Sequence, residues 1–175
     1  MGCDAHFYIQ YKKKTEDDQL WRNFGGRLNP GRNYAMFGIL AGVRDKNPPH
    51  SFEPKGILPE EKQSWYVRND LYLYITEDGK GDNETTLERA KSWGGCQIIN
   101  DINGDPYKVD HPDWHSHSWM TIEEYKQALK WYKEYAKEDG IEGGVPFDYK
   151  VILKVMKVLE NNGRNDVLLI FWFDN

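Results

Sequence analysis

The chain opens on strict alternation. In CDAHFYIQY, residues 3–11, Ala5, Phe7, Ile9 and Tyr11 point one way, and Asp4, His6, Tyr8 and Gln10 point the other. That period of two predicts a strand with one buried face. Residues 12–19 are charged and read as a solvated turn. The period then changes. In RNYAMFGILAGVR, residues 32–44, Tyr34, Phe37, Leu40 and Ala41 form an apolar stripe at helical spacing, with Asn33 placed as N-cap. Four prolines follow in the stretch 45–64 and exclude regular structure through most of it. This Pro-rich loop is long for a compact domain, and long loops are often functional.

Residues 70–76, DLYLYIT, read as a strand, and the polar stretch 77–92 as a mobile segment or short helix. CQIIND and PYKVD flank Asn103-Gly104, a hairpin signal. The clearest helix runs over 121–139. Thr121 and Glu124 make a capping box, Ile122, Tyr125, Leu129 and Tyr132 form its buried stripe, and Gly140 stops it. A second long helix is expected over 148–162, capped by Asp148 and ended by Gly163. DVLLIFWF, residues 166–173, is a continuous apolar run whose length and side chains favour a central strand. This order predicts a single α+β domain over residues 1–175. Its sheet is mostly antiparallel or mixed, three main helices pack on it, and the first and last strands lie side by side near the sheet centre.

Composition narrows the functional classes. With 175 residues and 39% hydrophobic content, the chain suits one ordinary core. A formal charge of −5 argues against general nucleic-acid binding. No apolar run approaches the ~18 residues of a membrane span, and no signal peptide opens the sequence, so a cytoplasmic protein is expected. Cys3 and Cys96 form no C-x-x-C pair, which fits a reducing compartment. The start MGCDAH approaches an N-myristoylation pattern, but His6 stands where Ser or Thr is required. Seven Trp and eleven Tyr are enough to line a core and still wall a flat ligand.

Candidate chemistry concentrates in DHPDWHSHSW, residues 110–119. If this stretch is extended, as Pro112 favours, His111, Asp113, His115 and His117 share one side. An H-x-H pair with a carboxylate can hold a divalent metal, with Asp113, His115 and His117 as ligands, or the histidines can act as acid and base without one. The structural alternative is that His115 or His117 bonds the start of the helix at Thr121. Asp4 and His6 share a strand face and could join the same site; alternatively Asp4 bonds a backbone amide and His6 is a satisfied, half-buried histidine. Arg32 beside the helix start at Asn33 offers an anion grip, and the alternative for Asn33 is a plain cap. Cys3 could pair with a histidine as nucleophile, or simply pack. Asp101, Asn103 and Asp105 resemble part of a calcium loop but miss the EF-hand register. Walker A, G-x-G-x-x-G, G-x-S-x-G, H-E-x-x-H and two-histidine phosphoesterase patterns do not occur.

Three segments, MGCDAH, RNYAMFGILAGVR and HSHSWMT, together resemble a family of small tailed-bacteriophage proteins. That family shows M-G-C-D-x-H, R-N-Y-x-x-F-x-x-L-A-G-V-R, a Pro-rich loop with a G-[IL]-P-like turn, and H-S-H-S-W-[LM]-T. Here the turn reads KGILPEE, one residue longer, and the likeness covers the first ~125 residues in pieces. The resemblance implies a phage origin and a host-cytoplasm location, and carries no activity with it. Its segments coincide with the chemically chosen ones, so a shared pocket is expected from Asp4, His6, Arg32, Asn33, Tyr34, His115, His117 and Trp119. The expected function is an accessory protein, homo-oligomeric, that binds and sequesters a nucleotide-derived small molecule such as a host immune signal. Trp119, Tyr34 and Tyr8 would stack the base, Arg32 would take phosphate, and the histidines and Asp4 would read ribose hydroxyls. Two alternatives stand beside it. One is a phosphodiesterase or other hydrolase using His115 and His117, with or without a divalent metal. The other is an inhibitor of a host protein.

Overall fold

The structure is a computed structural model that describes residues 2–13, 20–44 and 48–174. The greater part of the charged turn expected at 12–19, and residues 45–47 of the Pro-rich loop, lie outside the described residues. In chain order the elements are β1 (Ala5–Lys13), β2 (Arg22–Asn23), α1 (Tyr34–Ala41), α2 (Trp65–Leu71), β3 (Tyr72–Ile75), β4 (Glu84–Thr85), α3 (Leu87–Ser92), β5 (Ile98–Asn100), β6 (Pro106–Asp110), β7 (Trp114–Thr121), α4 (Ile122–Glu138), α5 (Phe147–Asn161) and β8 (Arg164–Asp174). The class is α+β, as the element order predicts. Two compact units form, one from residues 1–64 with 115–175, the other from 65–114.

In the first unit the sheet order is β2-β1-β8-β7. The first and last strands pair antiparallel at its centre, with Ala5 opposite Phe173, His6 opposite Trp172 and Phe7 opposite Phe171. One face carries Phe7, Ile9, Leu169, Phe171 and Phe173 into the main core, where they meet Met36, Phe37 and Leu40 of α1, Tyr125 and Leu129 of α4, and Tyr149, Ile152 and Met156 of α5. The other face carries His6, Tyr8, Gln10 and Trp172. Gln10 is fully buried and bonded at both ends of its amide: the nitrogen donates to the Lys62 carbonyl and the oxygen accepts from Ser64 N–H. Those two bonds hold the end of the Pro-rich loop on this second face. A strand covered on both faces needs apolar residues at successive positions, which is why residues 167–173 read as an unbroken apolar run rather than an alternation.

α1 departs from the one-sided stripe. Met36 to Ala41 are all buried, whereas Tyr34 is 43% exposed, so the helix is enclosed almost all round after its first turn. Asn33 caps it as predicted, its side-chain oxygen accepting from Met36 N–H. Gly42 ends it at φ +64, a left-handed position where glycine carries no Cβ penalty. The capping box on α4 is present in both halves. Asp148 is not the cap of α5. Pro146 holds that position, and Asp148 sits in the first turn, where its charge favours the helix dipole.

In the second unit the sheet order is β4-β3-β6-β5, with β3 and β4 parallel and the other pairs antiparallel. The strand expected from residue 70 starts at 72, because Asp70 and Leu71 close α2. Thr86 caps α3, a short helix inside the polar segment 77–92, expected to be mobile or a short helix. The expected hairpin forms from β5 and β6, but a longer loop than Asn103-Gly104 closes it. The Asp101 carboxylate accepts from Asn103 N–H and Asp105 N–H and organises that loop. Among the described residues no helix is long and apolar enough to cross a membrane.

Candidate functional site

The antiparallel pairing of β1 with β8 builds the site. Its register sets Trp172 across from His6, and the Asp174 carboxylate then reaches back over the strand end. Asp174 accepts from Asp4 N–H at 2.6 Å through one oxygen and meets His6 Nε2 at 2.9 Å through the other. Asp4 in turn takes the Arg32 guanidinium in a two-point grip, Nε to Oδ1 at 2.6 Å and the terminal nitrogen to Oδ2 at 3.0 Å. The result is a chain of bonds, Arg32–Asp4–Asp174–His6, that joins the N-terminal strand, the segment before α1 and the C-terminus of β8. The Arg32 fork holds Asp4 below the usual carboxylate range.

Trp172 is the centre of a row of rings on the second sheet face. Tyr8 stacks on it at 5.6 Å, His6 at 6.1 Å, and His117 lies tilted against it at 6.1 Å. Three strands therefore contribute to one layer of rings. His115 stacks instead on Phe173 at 6.2 Å. The residue between the two histidines, Ser116, has φ +51. A left-handed non-glycine residue interrupts strand alternation, as in a bulge. The Ser116 hydroxyl lies 3.0 Å from His115 Nδ1.

The Nε2 atoms of both His115 and His117 are buried, and neither has a hydrogen-bond partner among the described residues. Burial, reinforced by the neighbouring His115, depresses His117 to about 4. His117 is thus a neutral imidazole at pH 7. The backbone beside it is also organised. Gly56 N–H donates to the His117 carbonyl, and Lys55 N–H to the Ser118 hydroxyl, which lays the Pro-rich loop along β7.

Several expected roles are corrected. His111, Pro112 and Asp113 do not extend β7. They form a turn in which Trp114 N–H bonds the His111 carbonyl, Asp113 N–H bonds His111 Nδ1, and the His111 ring stacks on Trp114 at 4.0 Å. Among the described residues no group of three or more His, Cys, Asp or Glu is placed to hold a metal ion, and Asp113, His115 and His117 do not form such a set. Neither histidine caps α4; Thr121 and Glu124 do. Asn33 is consumed by the fold, since its amide nitrogen donates to Tyr132 Oη while its oxygen caps α1. The Arg32 fork is occupied by Asp4. Tyr8 is buried and supports Trp172 rather than walling an open site. One face of Trp119 is taken by Lys55, whose ammonium sits 3.9 Å from the ring centroid and pairs with Glu124 at 2.7 Å. Cys3 is buried and its thiol is pushed up chiefly by that burial, which suits packing and not attack. Tyr34 keeps an exposed ring edge-on to Phe37.

Two residues escaped sequence reasoning. Trp172 belongs to the run 166–173, read only as an apolar strand, and Asp174 directly follows that run. The available signal was the pairing itself: if β1 and β8 are antiparallel neighbours, the carboxylate at one end of β8 must fall beside the Asp4 and His6 end of β1. None of the site residues lines either of two surface hollows of the first unit, one of about 510 Å³ beside α4 and one of about 240 Å³ beside α5. The chain matches no protein-family model, no curated protein and no solved structure.

Proposed function

We propose that this protein binds a nucleotide-derived small molecule through its nucleoside part and holds it without converting it. The supporting observation is the pair of buried, unpartnered Nε2 atoms on His115 and His117. A buried polar atom without a partner costs about 1–3 kcal/mol. A ligand hydroxyl or ring amide that reaches either imidazole removes that atom's share of the cost. Neutral imidazoles suit such groups, because each ring nitrogen donates or accepts according to its tautomer. The exposed Tyr34 ring offers a stacking surface near Arg32.

Phosphate has a smaller place in this reading than the sequence suggested. Asp4 already neutralises Arg32, and Asn33 is spent as a cap. A phosphate would have to displace Asp4 to use the guanidinium. The resemblance to tailed-phage proteins then points to sequestration of a host signal in the infected cytoplasm, by an accessory protein acting as a sponge. A second reading, hydrolysis, draws on the His6–Asp174 pair, since a carboxylate-oriented imidazole is the arrangement of a general base.

Titration with adenosine, adenosine monophosphate and inorganic phosphate tests the proposal. Adenosine and its monophosphate are expected to bind with similar affinity, and phosphate alone not to bind. Binding carried by phosphate, or appearance of a cleaved product, would contradict it.

A further inference from the structure

We infer that the outer groove between α4 and α5 is a docking surface for an acidic segment of a partner protein. Two rows of lysines carry the argument. On α4, Lys126, Lys130, Lys133 and Lys137 recur at intervals that place them on one flank of the helix, and all are exposed. On α5, Lys150, Lys154 and Lys157 do the same.

The packing of each helix fixes where its lysine flank points. The opposite flank of α4 is taken by Trp131, stacked against His50 and Phe52 of the Pro-rich loop. The opposite flank of α5, with Asp148, Val151 and Val155, faces Phe24 to Pro30 across the smaller hollow. The two helices pack on each other, with Tyr125 Oη donating to the Tyr149 carbonyl. Their lysine flanks therefore turn toward a common groove.

Lys126 is paired with Glu123 at 2.9 Å. The other six lysines have no ion pair among the described residues. Like charges at helical spacing repel and destabilise the free helices. Such a concentration of cations, in a chain whose formal net charge is −5, is relieved when carboxylates enter the groove. The larger hollow, about 510 Å³, opens on the α4 side, lined by α4 and the loop that follows it, with Lys130, Lys133 and Lys137, Glu134 as its acidic lining residue, and Ala136 and the exposed Ile141 as apolar floor.

That floor selects among polyanions. A nucleic acid needs phosphate contacts and aromatic faces for its bases, and the hollow lines itself with no aromatic residue. An acidic peptide with interspersed apolar side chains uses both the lysines and Ile141. This surface does not depend on the histidine site.

The test is fluorescence anisotropy with a labelled peptide of alternating glutamate and leucine, against a labelled single-stranded oligonucleotide. The triple variant Lys130→Glu, Lys133→Glu, Lys137→Glu and the single variant Ile141→Ser are measured beside the intact sequence. All four positions are exposed, and circular dichroism checks that α4 is retained. The peptide is expected to bind the unaltered protein in a salt-dependent way, and to bind each variant about tenfold or more weakly, a change of about 1.4 kcal/mol. Absence of peptide binding to the unaltered protein, equal binding by the charge-reversed variant, or tighter binding of the oligonucleotide than of the peptide overturns the inference.

Discussion

Replacing His117 by leucine is expected to make the free protein more stable and to weaken ligand binding about a hundredfold. The imidazole is half-buried and neutral, and its buried Nε2 has no partner among the described residues. Leucine has comparable bulk, keeps the packing against Trp172, and removes a polar atom whose burial costs about 1–3 kcal/mol. A gain of roughly 1–2 kcal/mol in urea unfolding at pH 7 is therefore expected. The proposed nucleoside ligand, in contrast, loses an imidazole partner, and its affinity should fall by about a hundredfold, near 2.7 kcal/mol. A structural histidine would behave in the reverse way, losing stability on substitution. The opposing signs of the two effects separate a site held ready for a ligand from a residue that merely packs.

The second large effect is a loss of stability on mild acidification. His117 titrates at about 4 in the folded protein against an ordinary histidine value near 6.5. Its folded pKa is depressed, so between these values the unfolded chain binds the proton and the native chain does not. Stability contributed by the neutral imidazole is complete above the unfolded value and is lost as pH falls from about 6.5 toward 4. Converted at 1.36 kcal/mol per pH unit, the loss over that window is roughly 2–3 kcal/mol. Asp4 is held low by Arg32, so its own loss has the same sign but falls in the more acid range below that window. Unfolding midpoints at pH 7, 5.5 and 4.5 should decline steadily, and the His117→Leu variant should show most of that slope removed. A variant with an unchanged slope would place the titration elsewhere.

Much of the scaffold was legible in the sequence. The alternation of 3–11 and the apolar run at 166–173 are what a central antiparallel pair requires, and β1 and β8 form that pair. Thr121, Glu124 and the helical stripe behind them specify α4 locally, so its boundaries followed from nearby residues alone. What stayed hidden depends on contacts distant in sequence. No local signal says that Asp4 spends itself on Arg32, 28 positions on, or that Asn33 reaches Tyr132. The break in alternation at Ser116 is equally silent, because serine seldom marks a left-handed position and Pro112 suggested extension where a turn forms. The histidines were found by their clustering, but their partners on β8 could only come from strand pairing.

Native mass spectrometry of the gently purified protein, compared with its denatured mass, tests the central claim most directly. A retained organic mass of nucleotide-derived size, released chemically unchanged and missing from the His117→Leu protein prepared in parallel, is the expected result. Recovery of an altered product, or retention of the same mass by both proteins, would contradict it.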